Sequence, residues 1–295
     1  MVRELTFSVI IPTYNRPTQL AECLQSFTHL DYPAGEWELI VVNDGGEQSL
    51  AALTETLKTS LPLTLIAIDN RGPAGARNAG ARLAHGDILA FTDDDCIVDS
   101  QWLRQFANCF AEHNCAGFGG ETRNPYPDNI PAATWQIYID YVMQYFRDVD
   151  GNYLLFPSNN VAYRRTVFEA LGGFDDSFPL AAAEDLEFGY RLAANGYRQL
   201  YCPAAIIWHH HRNTYWGYLR QQYRYGRGGY YFELAQQQKH FPPNVRPNPE
   251  LEQHFYGRLA RKLFEMRAHP GTWFLIGMTL LVYKFGRWHE MHNNR

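Results

Sequence analysis

The chain of 295 residues lacks most of the features that would assign a protein to a class at sight. It has five cysteines, an odd number with no C-x-x-C pair, so neither a disulfide framework nor a thiolate zinc site is indicated. Several lie in apolar runs, which predicts buried free thiols in a reducing compartment. A charged n-region followed by an apolar h-region is missing at the N-terminus, so no cleavable secretory signal is expected. No apolar run reaches the roughly 20 residues needed to cross a bilayer; the longest late one, Pro270 to Tyr283, reads as a buried or an interfacial helix. The net charge of -5 gives no general attraction to nucleic acid. Repeats and low-complexity linkers are missing too. Hydrophobic residues at 46% and charged ones at 19% leave a packed globular protein.

What is present is a run of β-rich apolar segments alternating with helical periodicity. Phe7 to Ile11, Leu39 to Val42, Leu63 to Ile68 and Ile88 to Thr92 read as strands. Between them Leu20, Cys23, Leu24 and Phe27, then Leu50, Leu53 and Leu57, then the Ala-rich stretch 74–84 read as helices. Such a pattern predicts an α/β fold with a mostly parallel sheet covered on both faces, in which ligands bind beyond the carboxyl ends of the strands. Thr13-Tyr14-Asn15, Asn43-Asp44 and Asp93-Asp94-Asp95 fall at those ends. Helices are also expected around Trp102 to Phe110, Trp135 to Phe146, and after Glu184. The stripe Trp135, Ile139, Val142 and Phe146 reads as a core helix, or with Tyr138, Tyr141 and Tyr145 as a wall of an acceptor groove. The Pro-rich stretch 241–249 marks a break in organisation.

Three adjacent carboxylates at Asp93 to Asp95 repel one another unless a cation or donors compensate them. Hard oxygen ligands suit Mg²⁺ or Mn²⁺ bridging to a diphosphate, the alternative being a solvated turn or helix start. Asp44 could accept from a nucleobase or ribose, yet Asn-Asp-Gly-Gly is also ordinary turn chemistry. Gly72 to Asn78 opens a helix with little bulk, so its N–H groups and Arg77 could meet a phosphate. Glu184-Asp185 precedes a helix as a base for a hydroxyl, or as a mere cap. Of His209-His210-His211 on a strand, His209 and His211 share a face, and one could bind metal.

In order, Ser8 to Arg16, Val41 to Gly45, Ala76-Arg77-Asn78, Phe91 to Asp95, Gly172 to Asp175 and Glu184-Asp185-Leu186 resemble family 2 glycosyltransferases of the GT-A fold. The resemblance covers residues 5–212. It implies a Rossmann-like sheet flanked by helices as a catalytic domain over 1–212, with a nucleotide-sugar half (1–100) and an acceptor half (101–212). A helical, aromatic and basic extension (213–295) follows. It further implies an inverting, metal-dependent transfer from a nucleotide sugar, a UDP-sugar first, to a hydroxyl of a saccharide or lipid-linked acceptor. Pro12, Thr13, Tyr14, Arg16, Asp44, Gly75, Arg77, Asn78, Asp93 and Asp94 are the donor-binding set that it implies. Asp95 and His209 would hold Mn²⁺ or Mg²⁺, Asp185 would be the base with Glu184 beside it, and Ser158, Asn159, Asn160 and Trp208 would lie on the acceptor side. Asn43 departs from the family, many members of which carry Asp there, so nucleoside binding rests on Asp44. A sugar nucleotidyltransferase is disfavoured because Pro12 to Asn15 replaces its Gly-rich loop; a non-catalytic nucleotide-sugar-binding scaffold or sensor is the alternative. Tyr215, Trp216, Leu219 and Tyr223 beside Arg212, Arg220, Arg224 and Arg227, with the apolar segment at 273–282 flanked by Lys284 and Arg287, suit a cytoplasmic protein peripheral on the inner face of the cell membrane, the alternatives being stacking on sugar rings, docking onto the catalytic domain, a soluble helical cap or an oligomer interface.

Overall fold

The computed structural model describes residues 4–47, 49–178, 182–210 and 213–293, so His211 and Arg212 of the sequence reading lie outside the described residues. The chain divides into two compact units. The first comprises Met1–Arg123, Phe156–Pro179 and Tyr197–His209, and the second Asn124–Leu155, Leu180–Gly196 and His210–Arg295.

The first unit is built on one sheet. Strands β1 (Phe7–Thr13), β2 (Trp37–Asp44), β3 (Leu63–Ile68) and β4 (Ile88–Thr92) alternate with helices α1 (Pro17–Phe27), α2 (Ala51–Leu57) and α3 (Gly72–Leu83). All seven residues of β1 are buried, because it is central and covered on both sides. β5 (Cys96–Val98), α4 (Trp102–Glu112), β6 (Gly117–Arg123), β7 (Asn160–Arg164), α6 (Arg165–Ala170) and β8 (Gln199–His209) complete the unit. The order is β3-β2-β1-β4-β7-β6-β8-β5. β3, β2, β1 and β4 run parallel, as the spacing of their apolar runs predicts. Beyond β4 the sheet is mixed: β7 runs antiparallel to β4 and β6, β8 is parallel to β6, and β5 is antiparallel to β8. Trp102, Phe106, Phe27 and Leu24 pack into the main core. Phe91, Phe168 and Phe174 form a second aromatic cluster with ring centroids 5.2–5.3 Å apart.

Cys109 and Cys202 are joined in a disulfide, and Cys23, Cys96 and Cys115 are buried free thiols. The expectation of five free cysteines is therefore corrected. Sequence spacing of 93 residues hides a pairing that α4 and β8 create by packing side by side.

The second unit holds α5 (Ile130–Tyr145), α7 (Glu184–Ala194), α8 (Tyr215–Lys239), α9 (Pro249–Gln253), α10 (Phe255–Glu265) and α11 (Pro270–Asn293). Trp135 of α5 packs on Tyr218 and Leu275, while Ile137, Tyr138 and Tyr141 pack on Leu259, Leu263 and Ile276. Trp135 and Ile139 of one stripe and Tyr138 and Tyr141 of the other are thus occupied by helix packing. Close approach of α8 and α11 depends on glycine: a Cβ at Gly226 would lie 2.0 Å from the Tyr283 carbonyl oxygen, and one at Gly286 would lie 2.3 Å from that of Tyr223. Among the described residues no helix is long and apolar enough to cross a membrane.

Candidate active site

The parallel register brings the carboxyl ends of β1 and β2 together, with Thr13 opposite Asn43. Asp44 ends β2 buried, its Oδ1 accepting from Arg71 N at 2.8 Å. Burial pushes its carboxyl upward against the pull of the Arg71 and Gly72 N–H groups. Asn43 caps its own turn, with Gly46 N donating to its Oδ1 at 3.0 Å. Gly45 is required there: its φ is +77°, and a Cβ would meet Asn70 N at 2.7 Å. Pro12 is buried, whereas Tyr14 is 49% exposed beside Asn15, which has a φ of 54° and accepts from Glu47 N.

The three acids that follow β4 are not equivalent. Asp94 is buried, accepts from Thr13 Oγ1 at 2.8 Å and pairs with Arg16 Nη1 at 3.1 Å. Burial raises its pKa to about 6 despite Arg16. Asp93 and Asp95, on either side of Asp94 in the turn between β4 and β5, retain 29% and 19% side-chain exposure. Arg77, itself buried on α3, pairs with Asp93 at 2.5 Å. Arg16 Nη1 reaches Asp95 at 3.0 Å. Gly75 is also buried on α3, where a Cβ would lie 2.6 Å from that of Arg71.

His209 arrives at this triplet through the ladder, because β5 pairs with β8 so that Cys96 faces His209. Its Nε2 lies 3.2 Å from Asp95 Oδ1. Burial pulls the imidazolium pKa down, but the Asp95 carboxylate outweighs it and the net direction is up. Asn159 Nδ2 is 3.2 Å from His209 Nδ1, and Asn159 Oδ1 is buried without a hydrogen-bond partner. Turning that amide over would let Nδ1–H donate to Oδ1 and aim the Nε2 lone pair at a cation shared with Asp95, the usual support of a metal-binding imidazole. Ligand atoms of Asp95, Cys96 and His209 lie within 4.8 Å of one another. Burial holds the Cys96 thiol well above its usual value, which leaves one carboxylate and one imidazole as donors. That set fits Mn²⁺ better than Mg²⁺, since imidazole suits the softer ion.

Two residues of the sequence reading are engaged by the protein itself. Asn78 donates to the Phe174 carbonyl at 2.7 Å and accepts from Phe174 N at 2.9 Å, tying α3 to the Gly173 turn. Asn160 donates to Glu121 O and Ala205 O and accepts from Trp102 Nε1 at 2.8 Å, so its amide is fully spent inside the sheet. Ser158 is buried beside them, and Trp208 is half-buried on β8 opposite Ile97.

The Glu184-Asp185 pair belongs to the second unit. Ala183, with a φ of 76°, occupies the cap position of α7, so neither acid is the cap. They are the first two helical residues, where the helix dipole favours carboxylates. Asp185 Oδ1 accepts from Leu186 N at 2.8 Å, and Glu184 is buried. Gly228 lets α8 approach the chain just ahead of them, since a Cβ there would lie 2.5 Å from that of Ala182. Tyr225, one turn earlier on α8, was not singled out in the sequence. Burial pushes its phenol up to about 12, Gln221 and Trp135 pull it down by hydrogen bonding, and the Asp185 and Glu184 charges push it up. Its only sequence signal was membership of an aromatic and basic stretch.

A family described as "Glycosyltransferase like family 2" matches residues 4–228, most of the chain. The chain belongs to glycosyltransferase family 2. Among curated relatives of this glycosyltransferase, AglE of Haloferax volcanii is 27% identical over 223 residues, covering 75% of the chain and 72% of that protein. Two others are longer, and the match spans 56% and 51% of their length. Among solved structures, the Pyrobaculum calidifontis mannosyltransferase PcManGT in complex with GDP-Man and Mn²⁺ superposes with a TM-score of 0.67 at 21% identity, covering 98% of the chain and 84% of that one. Staphylococcus aureus TarS 1-349 with UDP-GlcNAc gives a TM-score of 0.56 at 22% identity, covering 71% and 60%. The fold of this family 2 enzyme is therefore GT-A.

Proposed function

We propose that this glycosyltransferase moves a sugar from a nucleotide sugar, a UDP-sugar first, to a hydroxyl of a saccharide or lipid-linked acceptor, inverting the anomeric carbon. The observation that carries this is the convergence of Asp93, Asp95, Arg16, Arg77 and His209 at the carboxyl ends of the strands. Thr13, Tyr14 and Asp44, with Pro12 shaping the loop, cradle the nucleoside, and Asp93 takes the ribose. Arg16 and Arg77 meet the diphosphate with charge-assisted hydrogen bonds. Asp94, anchored by Thr13, holds the triplet in register. Mn²⁺ held by Asp95 and His209 would supply charge neutralisation for the departing nucleoside diphosphate.

Asp185, with Glu184 beside it, removes the proton from the acceptor hydroxyl. The hydroxyl oxygen forms its bond to C1 as the bond from C1 to the diphosphate oxygen breaks on the opposite face. The role of Asp185 rests on its position in the family's motif order and on its partial exposure at the start of α7. Ser158 and Asn159 line the sugar side. The enzyme acts as a peripheral protein on a face of the cell membrane.

GDP is the second reading for the nucleotide, favoured by the GDP-Man complex of the structure that covers 98% of the chain. A thermal-shift screen of UDP-, GDP- and dTDP-sugars with Mn²⁺ tests the donor, and proton NMR of the product tests the anomeric outcome. The expected result is a Mn²⁺-dependent rise in midpoint with one nucleotide class. A folded protein that responds to none of them, or a product of retained configuration, would end the proposal.

A further inference from the structure

The second unit carries an apolar surface that its packing leaves uncovered. One face of α11 is buried: Leu275, Ile276 and Thr279 pack toward α5, α8 and α10. Its opposite face presents Phe274, Leu281, Phe285 and Trp288, exposed by 50–64% and spaced seven, four and three residues apart. That spacing keeps them on one line along a helix of 24 residues, about 36 Å long. The α10–α11 turn adds Phe264, the most exposed large apolar side chain among the described residues at 78%, Met266 at 52% and Trp273 at 40%. Arg267, with a φ of 50°, makes the turn tight: Ala268 N bonds to Leu263 O and Arg267 N to Phe264 O. The tip is therefore held by backbone hydrogen bonds and still shows its hydrophobic residues.

Charge identifies the occupant. Between 255 and 288 the chain has six cations, Arg258, Arg261, Lys262, Arg267, Lys284 and Arg287, against the single acid Glu265, although the whole chain carries -5. Of these, Arg287 is paired with Glu233 at 2.7 Å, which leaves five facing the surface, while Arg227 of α8 is tied to buried Glu290 and Arg220 lies over the Trp216 ring. An apolar line bordered by cations matches an interfacial helix on an anionic bilayer, and no described helix is apolar enough to cross one.

We infer that the α10–α11 hairpin is the membrane-docking element of this enzyme: Phe264, Met266, Trp273 and Phe274 enter the acyl boundary of an anionic leaflet, α11 lies along the interface, and the flanking arginines meet lipid phosphates. It rests on the membrane placement proposed above but not on the transfer chemistry. Tyr215 and Trp216 on α8, although exposed, are not part of it.

The test is co-sedimentation of the full chain with vesicles of phosphatidylcholine alone and of phosphatidylcholine with phosphatidylglycerol. The expected result is binding to the anionic vesicles, with affinity falling tenfold or more in the triple variant Phe264→Ser, Trp273→Ser, Phe274→Ser. Each of Arg261→Glu and Arg267→Glu should lose about fivefold or more on anionic vesicles. Tyr215→Ser with Trp216→Ser should leave binding unchanged. All altered side chains are exposed, so urea midpoints should match the wild type and confirm folding. Vesicle binding that survives the triple variant overturns the hairpin assignment and leaves the membrane placement standing. Failure of the wild type to bind either vesicle overturns both. A vesicle-independent dimer that the triple variant dissociates would make this face an interface between copies and would also overturn the inference.

Discussion

Removal of Arg16 is the most direct probe of the site's electrostatics. Its guanidinium bridges Asp94 at 3.1 Å and Asp95 at 3.0 Å, whose side chains are 6% and 19% exposed, and is itself 35% exposed. Breaking a fully buried pair costs about 3–5 kcal/mol, whereas an exposed one contributes up to about 1 kcal/mol. With a third of the arginine in water, Arg16→Ala should cost about 1–2 kcal/mol in metal-free buffer. For a chain of this size that is a fall in melting midpoint of about 2–3 °C. Mn²⁺ should then restore more to the variant than it adds to the wild type, because the ion no longer competes with a guanidinium for Asp95. Saturation at 100 times the dissociation constant is worth about 2.7 kcal/mol, well within reach of urea titration followed by tryptophan fluorescence. An unchanged metal-free midpoint, or identical Mn²⁺ increments in both proteins, would refute the reasoning.

Asp185→Asn should lower turnover by about 10²–10⁴ while the donor-induced thermal shift persists; wild-type turnover would remove Asp185 from the mechanism. Gly120→Ala would put a Cβ 2.2 Å from the Ala205 carbonyl oxygen and 2.5 Å from the Asn160 amide, costing about 1–3 kcal/mol by urea denaturation. Gly277→Ala, in α11 with nothing within 4 Å, should instead stabilise by about 0.5–1 kcal/mol. Burial raises the Glu38 pKa, but donation from Ser8 and His85 outweighs it and holds the carboxyl below its ordinary 4.5. Its contribution is therefore present above about pH 4.5 and is lost as pH falls through the lowered value. Glu38→Gln should be about 1 kcal/mol less stable at pH 7, and the difference should close in acid.

The first four strands were legible because each is a short apolar run of β-branched and aromatic residues ending in polar turn chemistry, a pattern set locally. The same holds for the acids themselves, whose order along the chain reveals the family without any coordinates. β7 was not legible: Asn160 to Arg164 inserts beside β4 from some seventy residues away, and nothing in its composition names its neighbour. Tyr225 and Gly228 were missed for a related reason, since their importance lies in what α8 packs against.

The sequence by itself determined the alternation of strands and helices, the family, and which residues carry charge suited to a nucleotide diphosphate. Tertiary structure decided how those residues are used. It turned Asp94 inward while leaving Asp93 and Asp95 accessible, spent Asn160 inside the sheet, joined Cys109 to Cys202, and delivered His209 to Asp95 through the β5–β8 ladder. The physical reason is that side-chain type is fixed by the local code, whereas hydrogen-bond partners, burial and charge neighbours come from segments distant in the chain.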